Sequence, residues 1–226
     1  NFMIWINFLF LKVKIKPAKY VYLISKENLL VNNMLISKKS KVISGHHADY
    51  DRYLQSQKQI QTKSKIKYFV FLDQNVPNHP DLLRICSGAK AINEKKYYIS
   101  LIEFFKKVEK EFKYRCIVCK HPRTNTKIIK KYFGNMLSSR PALELVRDCE
   151  FTITHDSVGT NFSFLYNKPI VSIINDELLN HEYPHKKEME MFCRRAKIKK
   201  IIDISKDKLT KKDLVFNPKD YKNFIQ

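Results

Sequence analysis

The stretch Ile66-Lys67-Tyr68-Phe69-Val70-Phe71-Leu72, closing on Asp73-Gln74-Asn75, decides the fold. A continuous apolar and aromatic run of strand length, ended by polar turn residues, is what a strand buried on both faces requires. The loop that follows carries Pro77 and Pro80. Beyond it, Lys96 to Phe112 sets Tyr98, Leu101, Ile102, Phe105, Val108 and Phe112 at helical spacing, with Glu103, Lys106, Lys107, Glu109 and Lys110 on the other face. That is an amphipathic helix laid against such a strand.

The alternation continues outward. Arg115 to Cys119 reads as a strand, Lys127 to Phe133 as a helix, and Ala142 to Arg147 as a helix with Pro141 at its first turn. Strand Glu150 to Thr154, helix Gly159 to Tyr166, strand Pro169 to Ile174, helix Lys186 to Ala196 and strand Lys199 to Ile204 follow. Strands alternating with helices predict an α/β fold with a mostly parallel sheet of at least five strands, covered on both faces. Right-handed crossovers make it doubly wound and Rossmann-like.

Toward the amino terminus the pattern fails. Gln55 to Lys65 is polar and without apolar periodicity, so 55–65 reads as a linker between a segment 1–54 and a domain 66–226. Phe2 to Leu11 is apolar but well short of the ~20 residues that span a bilayer, and no basic flank precedes it. It reads as neither a membrane span nor a signal peptide. We take it as part of a truncated amino-terminal domain, whose remnant 1–54 should expose apolar surface.

Composition narrows the partners. With 44% hydrophobic and 12% aromatic residues, the 226-residue chain has the apolar area of a folded protein. Its 43 Lys+Arg against 22 Asp+Glu leave a formal charge of +21, which favours phosphorylated ligands, anionic membrane surfaces and nucleic acids alike. The excess is lysine scattered among Ile, Asn, Tyr and Phe, without Arg-rich patches or stacking motifs, which argues against nucleic acid as a partner. Five cysteines (Cys86, Cys116, Cys119, Cys149, Cys193), odd in number and irregular in spacing, suit a reducing cytoplasm. Cys116-x-x-Cys119-x-His121 invites a zinc reading. On a strand, however, residues three apart point to opposite faces, so no metal site is expected there.

Ligands of open α/β sheets bind beyond the carboxyl ends of the strands. Three segments fall there: Asp73-Gln74 through His79-Pro80-Asp81, Lys120-His121-Pro122-Arg123, and Thr154-His155-Asp156-Ser157-Val158-Gly159-Thr160. The second offers two fixed cations and a titratable ring on a turn stiffened by Pro122, a set that suits a phosphate. A solvated turn would look the same. The third supplies hydroxyls at Thr154, Ser157 and Thr160 where a helix begins, so its orphan amides and the helix dipole favour an anion, although Ser157 also serves as an ordinary N-cap. No Gly-Lys-Ser/Thr loop and no Gly-x-Gly-x-x-Gly occur in a chain with four glycines, so ordinary ATPase and dehydrogenase readings lose support.

Taken in order, Phe71-Leu72-Asp73-Gln74, Pro77, His79-Pro80-Asp81, His121-Pro122-Arg123, Leu145-Val146, Ile153-Thr154-His155-Asp156-Ser157 and Asn167-Lys168-Pro169-Ile170 resemble the carboxyl-terminal domain of bacterial surface-polysaccharide glycosyltransferases of the GT-B fold. The resemblance covers residues 42 to 175, with Gly45-His46 and Asp49 to Leu54 similar to the segment entering that domain. The His-Pro pair and the Ser/Thr cluster are also similar to the donor-phosphate motifs of GT-B sialyltransferases and of CDP-glycerol glycerophosphotransferases.

The resemblance implies that His121, Arg123, Ser157 and Thr160 bind the phosphate or nucleotide of a CMP- or UDP-linked sugar donor. Asp73, Gln74, His155 and Asp156 would line the cleft. It also implies a glycan or lipid-linked glycan acceptor, no cofactor or metal, and a cytoplasmic enzyme at the inner face of the membrane. The catalytic base is expected upstream of this chain. Rival readings are a CDP-glycerol-type glycerophosphotransferase and a non-catalytic basic module for nucleic acid or membrane.

Overall fold

The computed structural model describes residues 16–23, 36–58, 66–79, 92–180 and 186–225. The apolar segment Phe2 to Leu11 and most of the expected linker, 59–65, lie outside these. Two compact units emerge, one ending at Asp51 and the other comprising Arg52–Ile225. In the first, strands β1 (Tyr20–Leu23) and β2 (Lys41–Ser44) pair in parallel. Tyr20, Tyr22, Val42 and Ile43 are exposed on this small sheet. Gly45 lets the Tyr22 ring lie close beside it, where a Cβ would displace that ring.

Helix α1 (Ala48–Gln57) takes in Gln55–Gln57, the first residues of the stretch read as a linker. The sequence hides it because so little of it is apolar. Within the second unit, its last turns are held by Tyr53, edge-on to Tyr166 at 5.0 Å, and by Ser56, whose hydroxyl lies 2.7 Å from the Tyr166 hydroxyl.

The second unit is built on six parallel strands: β3 (Tyr68–Leu72), β4 (Arg115–Cys119), β5 (Leu137–Ser138), β6 (Thr152–Thr154), β7 (Ile170–Ile174) and β8 (Ile201–Asp203). They lie in the order β5-β4-β3-β6-β7-β8, every neighbouring pair parallel. Counted from β3, this is 3-2-1-4-5-6, the order of the doubly wound Rossmann-type sheet. The chain leaves β3 toward one edge, then returns to β3 and builds toward the other. Between β3 and β6 the direction of winding reverses.

Helices cover both faces because β3 is apolar on both. Phe69 and Phe71 pack with α2 (Glu94–Phe112) and α3 (Thr126–Phe133), whereas Tyr68, Val70 and Leu72 pack with α4 (Ala142–Asp148) and α5 (Asn161–Leu165). Phe69 stacks on Phe151 with centroids 5.2 Å apart, and Phe71 meets Phe105 at 5.0 Å. Each buried aromatic ring contributes roughly 2–3 kcal/mol of burial.

Local signals set the helix ends. Asn93 caps α2 by accepting from the Lys96 amide at 3.0 Å, and Lys113 ends it at φ 59°. Asn125 starts α3, and Gly134 closes it at φ 49°, a conformation glycine adopts without steric cost. Helices α6 (Asp176–Asn180), α7 (Lys186–Arg195) and α8 (Pro218–Ile225) complete the unit. Among the described residues, no helix is long and apolar enough to cross a membrane.

Candidate functional site

The reversal of winding between β3 and β6 opens a crevice at the carboxyl edge, because the chain departs from these two strands toward opposite faces. The loop after β3 begins Asp73-Gln74-Asn75, with Asn75 buried and left-handed at φ 53°, a conformation that asparagine tolerates better than most residues. The loop after β6 runs His155 to Gly159. Across the crevice Gln74 and Asp156 clasp each other. The Gln74 Nε2 donates to Asp156 Oδ1, and the Asp156 amide donates back to Gln74 Oε1 at 3.1 Å.

Asp73 lies beneath this clasp and is 2% exposed. Its Oδ2 accepts a long hydrogen bond, 3.5 Å, from the Thr124 hydroxyl, and its Oδ1 has no hydrogen-bond partner among the described residues. Burial pushes its carboxyl up to about 6, and the Asn75, His121 and Gln74 amides hold back the rise. Tyr98 reaches the same region from α2. Its hydroxyl is also buried without a partner, and its pKa is raised by burial and then by the Asp73 charge. Cys119, at the end of β4, is pushed up to about 11 by burial and then by Asp73.

The turn after β4 carries Lys120, His121 and Arg123. His121 is half-buried and its Nδ1 accepts from the Arg123 amide at 3.3 Å, which leaves Nε2–H as the outward donor of the neutral ring. The His79 ring meets it edge-on at 5.2 Å. Burial lowers the His121 pKa, and His79, Arg123 and Lys120 lower it further. An anion bound here would relieve that repulsion.

The third segment corrects the sequence reading. His155 lies in the core and not in the cleft: fully buried, with Nδ1 2.6 Å from the Ile173 carbonyl and Nε2 2.8 Å from the Tyr97 hydroxyl. The carbonyl can only accept, so Nδ1 carries the proton and Nε2 accepts from Tyr97. Thr160 is buried as well and donates its hydroxyl proton to the Ser157 carbonyl at 2.5 Å, so this side chain caps a turn and is not presented to a ligand. Ser157 is half-buried, and its Oγ accepts from the Gly159 amide at 3.2 Å as an N-cap.

The four expected phosphate residues also do not stand on neighbouring strands. Because β3 lies between β4 and β6, the His121 turn and the Ser157 turn flank the Asp73–His79 loop, roughly 10 Å apart at one strand spacing of about 4.8 Å each. Residues not singled out from sequence complete the site: Thr124, bonded to Asp73, and Tyr98, read only as a core position. Pro80 and Asp81 lie outside the described residues.

Cys116 and Cys119 occupy opposite faces of β4, as strand geometry requires. Among the described residues, no group of three or more His, Cys, Asp or Glu is arranged to hold a metal ion. Neither the comparison with family models nor the comparison with curated proteins finds a match for this chain.

Proposed function

We propose that the second unit is the donor-binding domain of a glycosyltransferase of the GT-B type, taking a nucleotide-linked sugar in the crevice between β3 and β6. The observation that carries this reading is the 3-2-1-4-5-6 strand order with a polar crevice at its switch point, flanked by the cationic turn of β4. The donor phosphate lies against His121 and Arg123, because the Asp156 carboxylate would repel it at the crevice centre. Asp156 and Gln74 instead accept hydrogen bonds from hydroxyls of the ribose or the transferred sugar, exchanging their mutual clasp for the ligand. As the bond from sugar to phosphate breaks, charge develops on the phosphate, and His121 Nε2–H and the Arg123 guanidinium stabilise it. The transferred sugar goes to a glycan or lipid-linked glycan acceptor.

Calorimetric titration with CMP, CDP, UMP and UDP tests the reading. One of these is expected to saturate a single site, and His121→Ala is expected to weaken it by about 1.5–3 kcal/mol, the worth of a charge-assisted hydrogen bond. No binding at millimolar nucleotide, or binding indifferent to His121, would refute it.

A further inference from the structure

A second cationic feature lies away from the crevice. A cavity of about 600 Å³ opens between the last turns of α2 and the segment 204–209 that follows β8. Phe104, Val108 and Leu209 form its apolar floor, and Lys107, Lys110, Lys113, Lys206 and Lys208 form its walls, against the two carboxylates of Glu111 and Asp207. Lys208 pairs with Glu111 at 2.9 Å and Lys206 with Asp203 at 3.3 Å. Lys107, Lys110 and Lys113 make no ion pair among the described residues. Glu111 is held below the usual carboxylate range by its hydrogen bond from Lys208 and then by the Lys208, Lys211 and Lys113 charges, which locates three lysines around one carboxylate.

The cationic surface continues past the cavity. Lys199 and Lys200, just before β8, and Lys211 and Lys212, beside them, are exposed, and Lys199 Nζ reaches the Lys212 carbonyl at 3.1 Å. Val215 is 64% exposed in the same segment. Lys113 stands two residues before β4, and Lys199 and Lys200 stand directly before β8, so these three lysines lie at the amino edge of the sheet, while the segment 204–209 follows β8. Asp73, His121 and Asp156 lie at the carboxyl edge.

We infer that this lysine face is a docking surface for an anionic lipid bilayer, with one phospholipid headgroup entering the cavity. The cavity's size is that of a small-molecule site, about 300–1,000 Å³. Its cations are all lysines, compact point charges that serve a diffuse anionic surface, where bidentate phosphate recognition in nucleic acids favours arginine. No exposed aromatic ring lines it to stack a base, and Phe104 is 2% exposed, so a bilayer fits better than RNA. The apolar Val215 stands where it can enter the headgroup layer. The lysines of this face are distinct from the residues of the crevice, and the inference does not rest on the nucleotide reading.

Vesicle co-sedimentation at physiological salt is the test, with vesicles of phosphatidylcholine alone and vesicles containing roughly one phosphatidylglycerol in four lipids. The wild-type chain is expected to bind only the anionic vesicles. Each lysine near such a surface strengthens binding about fivefold, so combining Lys107→Gln, Lys110→Gln and Lys211→Gln should weaken it about a hundredfold. The same charge removed elsewhere, through Lys95→Gln, Lys127→Gln and Lys130→Gln, should cost far less, and unchanged melting temperatures show that both variants fold. No binding to anionic vesicles, equal loss in the two triple variants, or binding of single-stranded RNA but not vesicles through these lysines would overturn the inference.

Discussion

Asp73→Asn should stabilise the protein, and only above mildly acidic pH. In the fold the Asp73 carboxyl titrates at about 6, against 3.8 for the unperturbed group. The native state therefore holds the proton more tightly than the unfolded chain does. Stability from this group is fully present below the unfolded value and is lost as pH rises through the folded one. With about 1.4 kcal/mol per unit, the penalty grows from roughly 0.5 kcal/mol near pH 4 to about 3 kcal/mol above pH 7. An asparagine keeps an oxygen for the Thr124 hydroxyl, so the shape of the site is preserved while its charge is removed. Urea unfolding of wild type and variant between about pH 4 and pH 8 isolates the effect, since every other titrating group cancels in the difference. A difference that does not change with pH, or a variant less stable at pH 8, would show that Asp73 is not a destabilising buried carboxylate. A group that costs the fold stability at neutral pH, held at the switch point of the sheet, is what a site retained for ligand binding displays.

His155→Leu should cost about 2–4 kcal/mol, measured by denaturant unfolding at neutral pH, because it removes the hydrogen bonds to Tyr97 and the Ile173 carbonyl. Burial lowers the His155 pKa, so the unfolded chain binds the proton more readily and wild-type stability should fall as pH drops through the ordinary histidine value. The variant should lose that part of the acid sensitivity. Ser157→Ala should lower stability by about 1 kcal/mol, the worth of an N-cap, and a change too small to measure would mean that its bond to the Gly159 amide is not formed in solution. A double-mutant cycle of Gln74→Ala and Asp156→Ala should give a coupling of about 1–2 kcal/mol in the free protein, and a coupling near zero would mean the clasp is absent.

The legible part of the fold was the part written in periodicity. Phe69 and Phe71 on one face of β3 and Tyr68, Val70 and Leu72 on the other come straight from an unbroken apolar run, and α2 from its amphipathic spacing. What stayed hidden lacked such a pattern. β5 is two residues long and survives as an edge strand only because Val118 and Cys119 pair with it. α1 is polar along most of its length, and its Tyr53 and Ser56 meet the distant Tyr166, a dependence that no local window contains. Cys116 and Cys119 fall on opposite faces of β4, a placement readable in advance because strand alternation is itself a local rule.

The site was legible as a set of loops but not as an arrangement, and the strand order explains the difference. Sequence places Lys120–Arg123 and His155–Thr160 after successive long strands, which suggests neighbours. In the sheet, β3 separates them, so the turn with the cations and the turn with the hydroxyls are walls of two different gaps. The same order brings together Gln74 and Asp156, 82 residues apart, and buries Asp73 where it meets Tyr98 and Thr124. His155 shows the converse. A histidine in a predicted cleft segment reads as a ligand group, yet one residue of displacement along the chain turns it from the crevice into the core, where two hydrogen bonds occupy both its ring nitrogens. Asp156, next in sequence, takes the crevice position instead. A phosphate is therefore expected toward β4 and a hydroxyl-bearing group toward β6, a division of labour that only the pairing of β3 with both strands makes readable.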